Sequence, residues 1–335
     1  MRKKIVLLIN LGTPDSPTFK SVAKYLFEFL NDKFVINLPW LFRSLLVNCI
    51  IIPFRVFRST DRYKELWTPS GSPLRYFLLR LADELQTILP KNYEVHGAMR
   101  YRAPSIRSTL KKIATKDVEE IIAIPLYPQY ASSTSETSIQ ELLKAKNDLN
   151  IRADIKIVEQ FYFEPSYVNT FASHIQTYQP ERFDHILFSF HGLPSSQIQR
   201  CESKNMRKNN SPTRQLAAIQ NDCYLTSCTK TVELLANTLD IPADKYSIAF
   251  QSRMSVFWIK PFTDKVLMSL LKTGKKKVLV IAPSFVADCL ETTIELGVEY
   301  KELFLKNGGE EFVMVESLNI SPNWVEALAE IVKKY

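Results

Sequence analysis

Residues 185–194 read HILFSFHGLP, and residues 5–14 read IVLLINLGTP. Each is a short apolar run with almost no polar alternation, ending in a turn of glycine, one residue and proline. Such runs suit strands buried on both faces, as in parallel sheets. Comparable runs lie at 93–99, 120–125, 155–160, 246–250 and 277–282, with helix-patterned stretches such as 74–89 and 230–239 between them. Strand and helix in alternation predict an α/β fold with parallel sheets flanked by helices.

The two opening runs belong to a weak internal repeat. The strand at 93–99 ends at Met99-Arg100-Tyr101, and the strand at 246–250 ends near Gln251-Ser252-Arg253. The next strand in each half enters a proline turn, at Ile124-Pro125-Leu126 and at Ala282-Pro283-Ser284. Two Rossmann-like lobes explain the pattern, with ligands expected beyond the carboxyl ends of the strands. The division expected is 1–165 and 166–335, with the option that the last helix packs back on the first lobe.

Composition narrows the function classes. The 335 residues are 46% hydrophobic and 23% charged, enough for a sizeable core. Only eight glycines occur, and neither G-x-G-x-x-G nor a P-loop is present, which disfavours nucleotide chemistry. The net charge of +8 suits nucleic acid, an anionic membrane surface or an acidic small molecule. Basic runs such as 275–277 read as solvated faces, and no nucleic-acid partner is expected. Five scattered cysteines without C-x-x-C fit a reducing, cytoplasmic compartment. The start MRKK followed by IVLLI imitates a signal peptide, but the apolar run is short, so it reads as a first buried strand.

Residues 34–58 read FVINLPWLFRSLLVNCIIIPFRVFR. The segment is strongly apolar, yet Pro39, Arg43, Asn48, Pro53 and Arg55 interrupt it, which argues against a membrane span. Two readings remain: a buried helix pair, or an exposed apolar lip for a greasy ligand or membrane surface.

Three clusters carry chemistry. Asp288, Glu291, Glu295, Glu299 and Glu302 are spaced 3, 4, 4 and 3 on an otherwise apolar stretch. On an ideal helix they share a stripe about 80° wide. Like charges four apart oppose helix formation, so a cation, raised pKa values or shared protons should compensate. His191 ends an apolar strand, where it can accept a proton near neutral pH. The loop 125–135 offers Tyr127 and Tyr130 to a planar ligand, and Ser132 and Ser133 to its carboxylates, with Arg100 and Tyr101 as a further anchor.

Taken together, the motifs NLGTP (10–14), GSPL (71–74), MRY (99–101), YPQY with SST (127–134), HGLP (191–194), FQSR (250–253) and ADCLET (287–292) resemble the ferrochelatase family, nearly end to end. The resemblance implies two Rossmann-like lobes enclosing a porphyrin cleft. It implies that His191 and Glu291 are catalytic and contact the metal, with Glu295, Glu299 and Asp288 as a proton or metal path on a helix with a π-type distortion. Porphyrin contacts are expected from Asn10, Leu11, Arg100, Tyr101, Tyr130, Ser132, Ser133 and Trp258. The segment 34–58 resembles the family's membrane-facing cleft edge. The reaction implied is insertion of Fe2+ into protoporphyrin IX, giving protoheme and two protons. Fe2+ is a substrate, and no tightly bound cofactor is expected. The resemblance also brings in a peripheral position on the inner face of the cytoplasmic membrane and a protoporphyrinogen-oxidising partner.

Several positions depart from the family pattern. Residues 254–257, MSVF, replace a longer and more polar segment before Trp258, and Cys289 stands where many members have histidine. Asp15 stands where the coproporphyrin-using branch has tyrosine, which favours protoporphyrin IX over coproporphyrin III. No cysteine-bearing extension follows Tyr335, so the C-terminal [2Fe–2S] cluster of animal members is not expected. Cys201, Cys223 and Cys228 are one ligand short of an alternative cluster. The rival readings are a chelatase for coproporphyrin III and a tetrapyrrole-binding protein without catalysis.

Overall fold

The structure, a computed structural model, describes residues 2–198 and 223–335. It forms two compact units. The first comprises Met1–Tyr127, Ala131–Glu159 and Ile320–Tyr335, and the second Pro128–Tyr130 and Gln160–Asn319.

The first unit is built on β1 (Lys3–Gly12), β2 (Tyr93–Tyr101), β3 (Val118–Pro125) and β4 (Asp154–Ile157). All pair in parallel, in the order β2-β1-β3-β4. Ile5, Leu7 and Ile9 of β1 pack with Ala98, Leu110, Ile121 and Leu142. Each isoleucine or leucine among them contributes roughly 1.5–3 kcal/mol on burial. The helix Pro322–Lys333 packs against the helix Pro73–Ile88.

The second unit repeats the plan with β5 (His185–His191), β6 (Tyr246–Gln251), β7 (Lys277–Ile281) and β8 (Glu311–Met314), in the order β6-β5-β7-β8. The repeat reaches atomic detail. The Met99 N–H donates to the Pro104 carbonyl at 2.6 Å, and the Phe250 N–H to the Pro261 carbonyl at 2.8 Å; both prolines follow cis peptide bonds. The expected strands are all present. Strand β8 has no counterpart among them: it is four residues long and follows Gly308-Gly309 without the apolar length that marked the others.

The apolar segment corrects the reading of a buried helix pair. It is one continuous helix, Trp40–Leu66, with a π-helical stretch at Leu46–Ile51. The residues taken as interruptions are absorbed. Arg43 turns back to the Leu38 carbonyl (2.9 Å), Asn48 reaches Ser44 Oγ (3.1 Å), and Pro53 sits in the first turn after the π stretch. There the wider i→i+5 bonding changes the register of the helical hydrogen bonds before the proline's missing donor is met. The helix is long and apolar enough to cross a membrane by length and composition. Its apolar side chains are largely exposed, Trp40 at 72% and Phe54 at 82%.

His185, at the start of β5, is buried. Its Nε2 lies 2.9 Å from Ser247 Oγ and its Nδ1 accepts from Lys275 Nζ at 3.0 Å. Burial first, and then the Lys275 charge, push its pKa down to about 4. An unfolded histidine titrates near 6.5, so acid favours the unfolded chain. Stability due to this group is complete above pH ~6.5 and is lost as pH falls towards about 4. Unfolding titrations between pH 6.5 and 4.5 are expected to show about one more proton taken up by the native sequence than by His185→Gln.

Candidate active site

In both sheets the chain leaves the central strand pair in opposite directions, so β1/β3 and β5/β7 are topological switch points. In the second unit His191 is the last residue of β5. After β7, residues 282–289 lead into a π-helix, Leu290–Tyr300, that carries Glu291, Glu295 and Glu299.

His191 pairs in register with Gln251, the last residue of β6. Its Nδ1 lies 2.7 Å from the Gly192 carbonyl oxygen. A carbonyl only accepts, so Nδ1 carries the proton and Nε2 presents its lone pair. The ring is half-buried, with the Trp258 ring 6.2 Å and the Phe285 ring 6.5 Å away between centroids. Buried Tyr224 donates its hydroxyl to the His191 carbonyl (2.8 Å) and lies 3.3 Å from Ser284 Oγ. A Cβ at Gly192 would lie 2.7 Å from the Gln251 carbonyl oxygen and 3.2 Å from the Trp258 ring, so only glycine allows this packing.

The acidic stripe is shorter than the ideal-helix reading. Asp288 precedes the helix, and Glu302 lies exposed in the following α-helix, Lys301–Lys306. Over Leu290–Tyr300 the bonding is i→i+5, roughly 4.4 residues per turn, so steps of four fall just short of a turn and still align Glu291, Glu295 and Glu299. Glu295 is buried. It accepts the Ser252 N–H (2.8 Å), the Ser252 hydroxyl (2.5 Å) and the Tyr300 hydroxyl (3.3 Å). Burial raises its pKa; the Glu291 charge adds to the rise, while the Ser252 hydroxyl and His191 oppose it.

Asp288 has other partners. Its Oδ1 accepts from Thr292 Oγ1 (3.2 Å) and the Ser317 N–H (3.1 Å), and its Oδ2 from Asn319 Nδ2 (2.7 Å). Its carboxylate therefore ties the helix entrance to 317–319 instead of joining the stripe. Cys289 is the N-cap, its N–H donating to Thr292 Oγ1 at 3.0 Å. Burial, and then Glu291, push its thiol well above the ordinary range, so it caps the helix as a neutral thiol.

The first-unit residues divide into two groups. Asn10, buried, and Leu11, half-buried, end β1 at its switch point. Ser132 and Ser133 are half-buried in a π-helical turn, Ser132–Glu136, and Ser132 Oγ reaches the Phe34 carbonyl at 3.3 Å. Arg100 and Tyr101 have an internal partner. Arg100 Nη2 (2.6 Å), the Tyr101 hydroxyl (2.9 Å) and Thr137 Oγ1 (2.6 Å) all donate to Asp32 Oδ2. Arg100 Nε also donates to Thr137, and Tyr101 is 2% exposed. Asp32 is the internal partner that the sequence reading lacked.

Tyr130 and Trp258 belong to the second unit and are half-buried. Cys223 precedes the helix Tyr224–Thr238 and Cys228 is buried within it; Cys201 lies outside the described residues. Ser252, Tyr224 and Asp32 act on the candidate residues without having been singled out from sequence. Only the FQSR motif hinted at one of them.

The chain matches the Ferrochelatase family over residues 3–335. It is 38% identical over 338 residues to a ferrochelatase of Coxiella burnetii (strain Dugway 5J108-111), covering 98% of this chain and 93% of that protein. It is 38% identical over 330 residues to a ferrochelatase of Legionella pneumophila (strain Lens), covering 98% of each. The solved structure of SirB from Bacillus subtilis with Fe3+ aligns over 99% of this chain and 95% of its own, with a TM-score of 0.54 and 11% identity, a likeness of fold. On the match over nearly its whole length, the chain belongs to the ferrochelatase family.

Proposed function

We propose that this protein inserts Fe2+ into protoporphyrin IX, forming protoheme, with His191 as the proton acceptor. The observation that carries the reading is the His191 hydrogen bond to the Gly192 carbonyl, which leaves Nε2 as a base at the switch point of a ferrochelatase-family sheet. Insertion displaces two pyrrole N–H protons, so a base must face the macrocycle. His191 Nε2 takes one of these protons. Glu291, half-buried at the start of the stripe, helps to deliver iron or remove a proton, and Glu295 and Glu299 conduct protons or metal beyond it. Among the described residues no group of three or more His, Cys, Asp or Glu side chains could hold a metal ion. Contact through the pair His191 and Glu291 suits iron that passes through as substrate. Asp15 supports protoporphyrin over coproporphyrin as the tetrapyrrole.

Asn10, Leu11, Tyr130, Ser132, Ser133 and Trp258 remain the porphyrin contacts in this reading. Arg100, Tyr101 and Asp288 become supports: the first two fix the approach to the apolar helix through Asp32, and Asp288 fixes the start of the π-helix. The exposed apolar side chains of Trp40–Leu66 suit contact with a membrane surface, where an apolar substrate accumulates.

Anaerobic assay with protoporphyrin IX and Fe2+, following the Soret band, tests the main reading. His191→Ala is expected to lose more than about a hundredfold in kcat while porphyrin binding stays within a few fold; turnover at the native rate would overturn it. Asp288→Ala is expected to lower unfolding stability by about 1–3 kcal/mol in denaturant titrations, because the Ser317 N–H and the Asn319 side-chain amide lose their acceptor. In co-sedimentation with anionic phospholipid vesicles, Trp40→Ser with Phe54→Ser is expected to reduce the bound fraction severalfold without changing the folded far-UV spectrum.

A further inference from the structure

Ser252 follows the last residue of β6 and has φ +61°, in the left-handed region. A serine there carries a Cβ penalty that glycine would not. Arg102 occupies the equivalent place after β2, with φ +70°, so the turn itself belongs to the repeated scaffold. What is particular to the second unit is the side chain placed there. The left-handed backbone turns the Ser252 N–H and hydroxyl the same way, and both reach the Glu295 carboxylate, the N–H on Oε1 and the hydroxyl on Oε2. Two donors on two oxygens of one carboxylate fix its plane as well as its position.

The two ends of this clamp are informative. Gln251, one residue before Ser252, is the register partner of His191. Glu295 lies at the middle of the π-helix stripe. Ser252 therefore joins the strand beside the candidate base to the helix that carries the candidate acids.

We propose that Ser252 is a positioning residue, holding the Glu295 carboxylate in the orientation that the reaction uses. The proposal rests on the reading of Glu295 as part of the path beyond Glu291. Ser252 touches neither iron nor porphyrin in this account and acts through Glu295. A purely structural serine would be replaced by glycine, the residue best suited to the turn, with no effect on turnover.

The test uses the full chain with protoporphyrin IX and Fe2+ under anaerobic conditions. Ser252→Gly and Ser252→Ala both keep the backbone N–H and remove the hydroxyl. Both are expected to lose about tenfold in kcat, with the porphyrin KM changed less than about twofold. Ser252→Gly is expected to unfold at a higher temperature than Ser252→Ala, since it relieves the left-handed backbone. The loss in kcat must then appear in the more stable of the two variants. In a Glu295→Gln background, Ser252→Gly is expected to add no further loss. Native kcat in Ser252→Gly, or a loss that multiplies fully with that of Glu295→Gln, would overturn the proposal. Native kcat in Glu295→Gln alone would instead defeat the reading of Glu295 beneath it.

Discussion

At Gly12 and Gly192 the chain passes so close to the neighbouring strand that an added Cβ would collide with the carbonyl of that strand's last residue, Tyr101 in one unit and Gln251 in the other. Both contacts lie at the carboxyl end of a central strand and its edge neighbour, β1 with β2 and β5 with β6. The approach brings the residues before the glycines, Asn10-Leu11 and His191, level with the ends of β2 and β6. The Gly192 N–H bonds to the same Gln251 carbonyl at 2.8 Å, so the approach is held by a hydrogen bond as well as permitted by a missing side chain. Nothing larger than glycine fits without parting the strands, and parting them would move His191.

A second constraint follows from burying Glu295. A desolvated carboxylate costs several kcal/mol unless donors surround it. Here three donors do so, two from Ser252 and one from Tyr300. Meanwhile Glu291 stays half-buried. Two neighbouring carboxylates thus have unlike surroundings, one half-buried and one enclosed. Unlike surroundings let identical groups do different work. The π-helix serves the same end, because steps of four residues keep the carboxylates aligned when each turn holds more than four.

The fold was legible because buried parallel strands announce themselves as unbroken apolar runs, and because the two halves repeat the same turn residues. Strand β8 was not, since four residues after two glycines carry too little pattern. The stripe was legible as a spacing, but its ends were not: that Asp288 turns to Ser317 and Asn319 depends on a segment about thirty residues away. The internal partner of Arg100 and Tyr101 was not legible either, because Asp32 is 68 residues from the nearer of them. Long-range pairing of a charge leaves no local trace in sequence. The apolar helix shows the opposite limit, where Pro53 and Asn48 looked like breaks because a π stretch cannot be read from periodicity.

The two units also show how one scaffold comes to do two jobs. After the second strand of each, the chain turns through a left-handed residue, Arg102 or Ser252. Arg102 pairs with Asp15 and Glu28, which fastens the loop after β1 and the helix Phe19–Leu30 to the end of β2. Ser252 holds Glu295 on the π-helix. The backbone solution is shared, and only the reach of the side chain differs. A long, half-buried guanidinium spans to two carboxylates, one in the loop after β1 and one on the helix Phe19–Leu30. A short hydroxyl at the interior position reaches one buried carboxylate and orients it. Division of labour between the halves therefore needs no change of topology, only a change in which acid each left-handed turn faces.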